Sequence, residues 1–298
     1  MSYLWATYSK IMKFIFTTDW HLISKVPSKR TNLILEGQFE KVKKILEEAK
    51  NEKVDFILHG GDFFDEYNPD VWLILRILSL LKDNPIPFYV IPGNHDLYGN
   101  NVLSLDRCGL SVLEMANVLK IFTKPFKIED ITFVPILHGT FSLSFLKEGE
   151  IIVAHELIVP QPTMFEHILC KDIDLFYNKL FLCGDYHIPF KYEGKSLFLN
   201  PGCLVRKSIS EKDFNPGFYI IEYNGRVTNF QYKNVPVIND FLVDEVEKNL
   251  SGINFDSIEV SFDDSLVDIK KLIKEIGLSM KIKKEALERL LREVDKYV

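Results

Sequence analysis

Cysteine is scarce: Cys108, Cys170, Cys183 and Cys203 are the only four in 298 residues, and no two stand in a Cys-x-x-Cys spacing. This excludes a disulfide-stapled scaffold and the usual thiolate zinc sites, and leaves buried thiols in a reducing compartment. No run reaches the roughly 18 apolar residues of a membrane span, so no membrane association is expected. Residues 1–11 are not a basic stretch followed by an apolar one with a small-residue cleavage site, so no signal peptide is expected. Met12-Lys13-Phe14 opens a strand directly. Positive charge is short as well: 36 Lys and Arg face 42 Asp and Glu, a formal net charge of −6. A surface that grips nucleic acid by bulk charge is therefore not expected. An acidic total still admits a carboxylate-rich site offset by divalent cations, with DNA held by local basic patches or a basic partner. Internal repeats and low-complexity stretches are also lacking.

What the sequence does contain is one junction made five times: a short apolar run that stops at a cluster of Asp, Asn or His. Residues 87–91 run into Pro92-Gly93-Asn94-His95-Asp96, where Pro and Gly end a strand and turn the chain. Residues 13–16 lead to Asp19-Trp20-His21, and residues 54–58 to Gly60-Gly61-Asp62. Residues 151–154 end at His155, and residues 180–183 at Gly184-Asp185-Tyr186-His187. Four of the seven histidines lie in these clusters. The positions just beyond the carboxyl ends of strands are where α/β proteins place chemistry. Taken singly, Asp19 or Asp62 reads as a cap or turn former, Asp65 as a helix cap and His155 as a satisfied core histidine. The joint occurrence is what carries weight.

Around these junctions the periodicity predicts strands at 13–18, 54–58 and 88–91 alternating with helices at 32–50 and 70–82, hence a largely parallel sheet. The helix at 70–82 has almost no polar face and is expected to be mostly buried. A shorter helix is expected at 111–119. The second half reads as β-rich, with strands at 131–137, 151–154, 180–183, 196–199, 217–222 and 227–232, and Asn224-Gly225 as a hairpin turn. Residues 234–240 look like a linker. A strand at 257–262 and amphipathic helices at 266–276 and 285–298 follow.

Taken together, Asp19-x-His21, Gly61-Asp62, Gly93-Asn94-His95-Asp96, the lone His155 and Gly184-Asp185-x-His187 resemble the calcineurin-like metallophosphoesterases, from about residue 13 to residue 235. The resemblance implies an α/β fold of two facing mixed β-sheets flanked by helices, a four-layer sandwich with metals at one rim. It assigns Asp19, His21 and His187 to one divalent ion, and Asn94, His155 and Asp185 to another, with Asp62 bridging. Mn²⁺ suits this mixed nitrogen and oxygen set, with Mg²⁺ as the alternative. The two ions would activate a hydroxide to attack a phosphodiester. His95 matches the family's proton donor, and Asp65 sits where the family often places the residue that orients it. Asp185 departs from the pattern, which usually has His. An Asp adds a harder oxygen donor and a third carboxylate, so the departure bears on the second ion. Arg206 and Lys207 follow a strand near the site and are candidates to hold substrate phosphate, or form a solvated basic turn. His59 is expected near the metals but not on them, and His138 and His167 elsewhere.

Residues 12–22, 61–69 and 200–218 further resemble the SbcD-like DNA-repair nucleases and their phage and archaeal relatives. That branch implies a metal-dependent DNA exo/endonuclease for repair or recombination, phage recombination included. It implies DNA and an SbcC-like coiled-coil ATPase as partners, allows a homodimer, and implies a cytoplasmic location, near the nucleoid or in a phage host. Residues 12–235 are then the nuclease domain, and 236–298 a reduced capping or partner-binding region of α+β character. The alternatives are a metallophosphoesterase for small phosphodiesters or phosphoproteins and a non-catalytic binding module of the same fold.

Overall fold

The computed structural model describes residues 11–27, 31–147, 149–176, 178–206, 211 and 213–237, all within Met1–Leu242, one of the two units of the chain. The elements expected at 257–262, 266–276 and 285–298, and Lys207, lie outside the described residues. No helix among the described residues is long and apolar enough to cross a membrane.

The first sheet grows from β1 (Met12–Thr17), in which Phe14 and Phe16 share one face and Ile15 takes the other, all fully buried. Helix α1 (Leu33–Asn51) carries the chain to β2 (Phe56–His59), α2 (Val71–Leu81) to β3 (Phe88–Val90), and α3 (Gly109–Met115) to β4 (Lys120–Ile121). Parallel neighbours need such crossovers, and β1 to β4 are all parallel. The chain then forms a second sheet. It begins with β5 (Phe126–Ile128), β6 (Ile131–Ile136) and β7 (Ile151–His155). The short β8 (Ile158–Val159), β9 (Ile168–Leu169) and α4 (Cys170–Ile173) follow, then β10 (Leu180–Gly184), β11 (Phe190–Glu193) and β12 (Leu197–Asn200). A final hairpin, β13 (Gly217–Tyr223) and β14 (Val227–Asn234), returns to the first sheet and lies antiparallel on β1. The two six-stranded sheets run β14-β13-β1-β2-β3-β4 and β11-β12-β10-β7-β6-β5.

Phe14, Phe16, Phe56 and Leu58 of the first sheet pack with Phe133, Val153, Leu180 and Leu182 of the second, and the Phe14 and Phe56 rings stack at 4.9 Å. On the outer face of the first sheet, Ile15 and Ile57 meet Phe39, Val42, Leu73 and Ile77 of the helices. On the outer face of the second, Ile152, Ala154 and Phe181 meet Cys170 and Ile173. Strands covered on both faces need unbroken apolar runs, which explains why five such runs stand out in the sequence.

The expectation for the second helix is corrected. Only Leu73, Ile77 and Leu81 of α2 are buried, while Val71 and Leu75 are 70% and 59% exposed. The helix lies in the outermost layer, where the i, i+4 stripe suffices to cover the sheet. The short edge strands β4, β5 and β11 have no counterpart in the sequence pattern, because two to four residues at a sheet edge leave no periodicity to read.

Candidate metal centre

The strands β1 and β2 stay paired beyond the sheet. Asp19 N donates to Gly61 O at 2.9 Å, His21 N to Asp62 O at 3.0 Å, and Leu22 N to Phe63 O at 3.1 Å. The zipped segments turn side chains inward by adopting left-handed backbone at Asp19 (φ 49°), His21 (φ 43°) and Asp62 (φ 54°). Non-glycine residues take that conformation at a cost, and such residues cluster at functional sites. Close approach also dictates glycine here. A Cβ on Gly61 would collide with the His155 ring, and one on Gly93 with the Asp62 carboxylate.

Asp62 stands at the centre. Its Oδ2 lies 3.4 Å from His21 Nε2 and 3.3 Å from His155 Nε2, and its Oδ1 accepts from His95 N at 2.9 Å. Asp19 Oδ1 lies 3.8 Å from His21 Nε2, and both Asp19 oxygens accept from Asp185 N at 3.1 Å. His21 Nε2 and His187 Nε2 are 3.0 Å apart, and Asn94 Oδ1 is 3.2 Å from His155 Nε2. Three sets of candidate ligand atoms, Asp19–His21–His187, His21–Asp62–His95 and Asp19–Asp62–His155, each lie within 4.8 Å of one another.

The outer ring nitrogens are held. His155 Nδ1 donates to Gly60 O at 2.8 Å, His187 Nδ1 to Glu211 Oε1 at 2.6 Å, and His21 Nδ1 lies 3.2 Å from Asp65 Oδ1. Such contacts fix the tautomer and turn the Nε2 lone pairs inward. Two lone pairs aimed at one point, beside two buried carboxylates, fit a divalent cation. His95 Nδ1 donates to the main-chain carbonyl of Asp65 at 2.7 Å, with the Asp65 carboxylate 3.6 Å away. Asp65 thus holds His95 chiefly through its backbone and directs its side chain at His21.

Burial drives the Asp62 carboxyl up, but His155 and His21 outweigh it and hold it below the usual carboxylate range. Burial drives His155 down, but Asp62 outweighs it and holds the imidazole well above its ordinary value. Burial raises Asp19. In His59, burial and the neighbouring His155 push the pKa well down; its Nδ1 accepts from Gly61 N at 3.2 Å, so it braces the Gly60–Gly61 turn.

The structure brings Asp19, His21, Asp62, Asn94, His155 and His187 together. Asp185 reaches them through its main-chain N–H, while its carboxylate lies 3.7 Å from His138 Nδ1. Arg206 is only 3% exposed, so it does not sit in a solvated turn. Its loop is instead built into the site's wall, Leu204 N donating to Asp19 O at 2.9 Å and Cys203 N to His187 O at 3.0 Å. His167 binds its own loop, Nδ1 to Phe165 O at 2.6 Å. Two residues escape sequence reasoning. Glu211 has no signal, lying 24 positions from the ring it holds. Asp96 is in plain view beside His95. Its buried carboxylate accepts from Gly93 N, Phe63 N and Phe64 N at 2.9, 3.1 and 3.0 Å, and burial with Asp62 nearby raises its pKa to about 7.

Two facing sheets with carboxylates, an amide and imidazoles gathered at one rim define a metal-binding α/β sandwich. The family model for calcineurin-like phosphoesterases matches residues 12–220, and the chain belongs to that family. It is similar to the DNA double-strand break repair protein Mre11 of Saccharolobus solfataricus, 31% identical over 46% of this chain and 36% of that protein. It is 26% identical to the Mre11 protein of Methanosarcina mazei over 76% of this chain and 39% of that protein. The SbcD component of the SbcCD nuclease of Staphylococcus saprophyticus is 23% identical over 87% of this chain and 78% of that protein. The chain thus spans well under half the length of the two archaeal relatives. A dimetal phosphatase from Danio rerio shares the fold, with a TM-score of 0.51 at 11% identity, over 76% of this chain and 99% of that one.

Proposed function

We propose that the chain is a metal-dependent DNA exo/endonuclease of repair or recombination, working with an SbcC-like coiled-coil ATPase. The observation that carries the reading is Asp62, a buried carboxylate with its Oδ2 within 3.4 Å of inward-facing nitrogens on both sides. In this reading two ions, Mn²⁺ or alternatively Mg²⁺, would share Asp62, with Asp19, His21 and His187 holding one and Asn94, His155 and Asp185 holding the other. Bound divalent ions supply Lewis acidity toward the phosphodiester and make the attacking water more acidic. His95 delivers the proton to the leaving oxygen: with Nδ1 committed to Asp65 O at 2.7 Å, Nε2 is the atom that faces substrate, on a ring 40% exposed. Asp65 and Glu211 orient rings, and the Asp96 carboxylate holds the two loops that carry Asp62 and His95.

Similarity to the repair protein Mre11 and to the SbcD component of the SbcCD nuclease supports DNA as the substrate and an SbcC-type ATPase as the partner. Residues 12–235 form the nuclease domain in this reading and 236–298 the region that meets the ATPase. Cleavage of single- and double-stranded DNA with Mn²⁺ or Mg²⁺, with and without that ATPase, tests it. Metal-dependent strand cleavage is expected; hydrolysis of small phosphodiesters alone, with DNA left intact, would contradict it.

A further inference from the structure

Asp185 leaves the second ion short of the nitrogen that the family pattern supplies there. A nitrogen is available from outside the pattern. Strand β6 is parallel to β7, with Ile136 opposite Ala154, so the residues after Ile136 emerge beside His155 at the metal rim. There the chain makes a tight turn from Leu137 to Thr140. Thr140 N and Oγ1 both donate to Leu137 O, at 3.0 and 2.7 Å, and Gly139 supplies the left-handed step at φ 74°. The turn is tied to the end of β7, since Thr140 N and Phe141 N reach Glu156 Oε1 at 3.0 and 3.2 Å. This places the His138 ring beside the Asp185 carboxylate. His138 shares a cavity with Asn94, and its Nδ1 is buried with no hydrogen-bond partner among the described residues.

Nδ1 lies 3.7 Å from Asp185 Oδ2. That is too long for a hydrogen bond. Two atoms each about 2.1 Å from one ion stand about 3.0–4.2 Å apart, depending on the angle between them. The pairs Asp62 Oδ2–His155 Nε2 and Asp19 Oδ1–His21 Nε2, at 3.3 and 3.8 Å, fall in the same range. We propose that His138 is a nitrogen ligand of the second ion, paired with Asp185 and replacing the histidine that the family pattern has at position 185. This rests on the two-ion reading above. The substitution moves the nitrogen donor from the end of β10 to the turn after β6 and keeps the mixed nitrogen and oxygen character of the site.

Calorimetric titration of the metal-free protein with Mn²⁺ tests the assignment without reference to activity. Wild type should bind two ions. His138→Ala should keep the first and weaken the second at least tenfold, since even contacts behind a ligand are worth about 10–100-fold in affinity. Asp185→His in the His138→Ala background should restore the second ion, because it returns a nitrogen to the family position. Two undisturbed sites in His138→Ala, or a double variant that stays as weak as the single one, would overturn the proposal and leave the two-ion reading standing. A wild-type protein that binds one ion would overturn the two-ion reading, and this proposal with it.

Discussion

His155 must lose a proton before it can hold a cation. In the ion-free site Asp62 keeps its imidazole protonated well above the ordinary histidine value, so metal and proton compete for Nε2. Lowering the pH should therefore weaken Mn²⁺ binding, and binding at pH 7 should release protons, read as a dependence of the calorimetric heat on buffer ionisation enthalpy. A pH-independent affinity between 6 and 8 would argue against His155 as a ligand. His95 makes a different prediction. Its removal in His95→Ala should leave metal content unchanged and slow cleavage of DNA by about 10²–10⁴, the usual worth of a positioned general acid. An ester with a p-nitrophenolate leaving group needs little protonation and should lose much less; equal losses would rule out proton donation. At this scale the sequence is most informative where a candidate ligand follows an apolar run, as with Asp19, Asp62 and His155. It is silent on Glu211, because a contact across 24 residues leaves no local pattern. It does not reveal that Arg206 is buried, because burial of an arginine depends on what folds over it and not on its neighbours in the chain.

Asp96 acts on elements more than on chemistry. Its carboxylate joins the loop after β3 to the loop after β2 by accepting three main-chain N–H groups. Asp96→Ala would leave buried donors without acceptors, each costing about 1–3 kcal/mol. The variant should therefore be destabilised by about 3 kcal/mol or more in chemical denaturation; a change below about 1 kcal/mol would show that the loops are held by their packing alone. The parallel strands and their crossover helices are legible because a strand buried on both faces must be apolar throughout. Helix α2 shows the limit of that logic. Its apolar sequence suggests burial on all sides, yet Val71 and Leu75 face outward, since one stripe is enough to cover a sheet from an outer layer.

At the scale of the molecule, the two sheets enclose an apolar layer, and the thiols are buried outside it, Cys170 and Cys183 on the outer face of the second sheet. All four cysteines are free and buried. Burial pushes Cys170 up to about 12 and Cys183 well above its ordinary value. A disulfide reagent at pH 8 should therefore find no reactive thiol in the native protein and four after denaturation, and fast labelling of the native state would contradict the packing described. The sandwich is legible through the family that the motifs, in their order, resemble, and the apolar runs place every candidate ligand at a strand's carboxyl end. The pairing of β6 beside β7, and hence the position of His138, is not, because sheet order is a long-range property that local sequence does not encode. The most direct test of the central claim is metal analysis of the Mn²⁺-saturated protein beside its Asp62→Ala variant. Two ions per wild-type chain, fewer than two in the variant and loss of its cleavage activity are predicted. A single ion per wild-type chain, or an Asp62→Ala variant that keeps both ions, would contradict a centre bridged by Asp62.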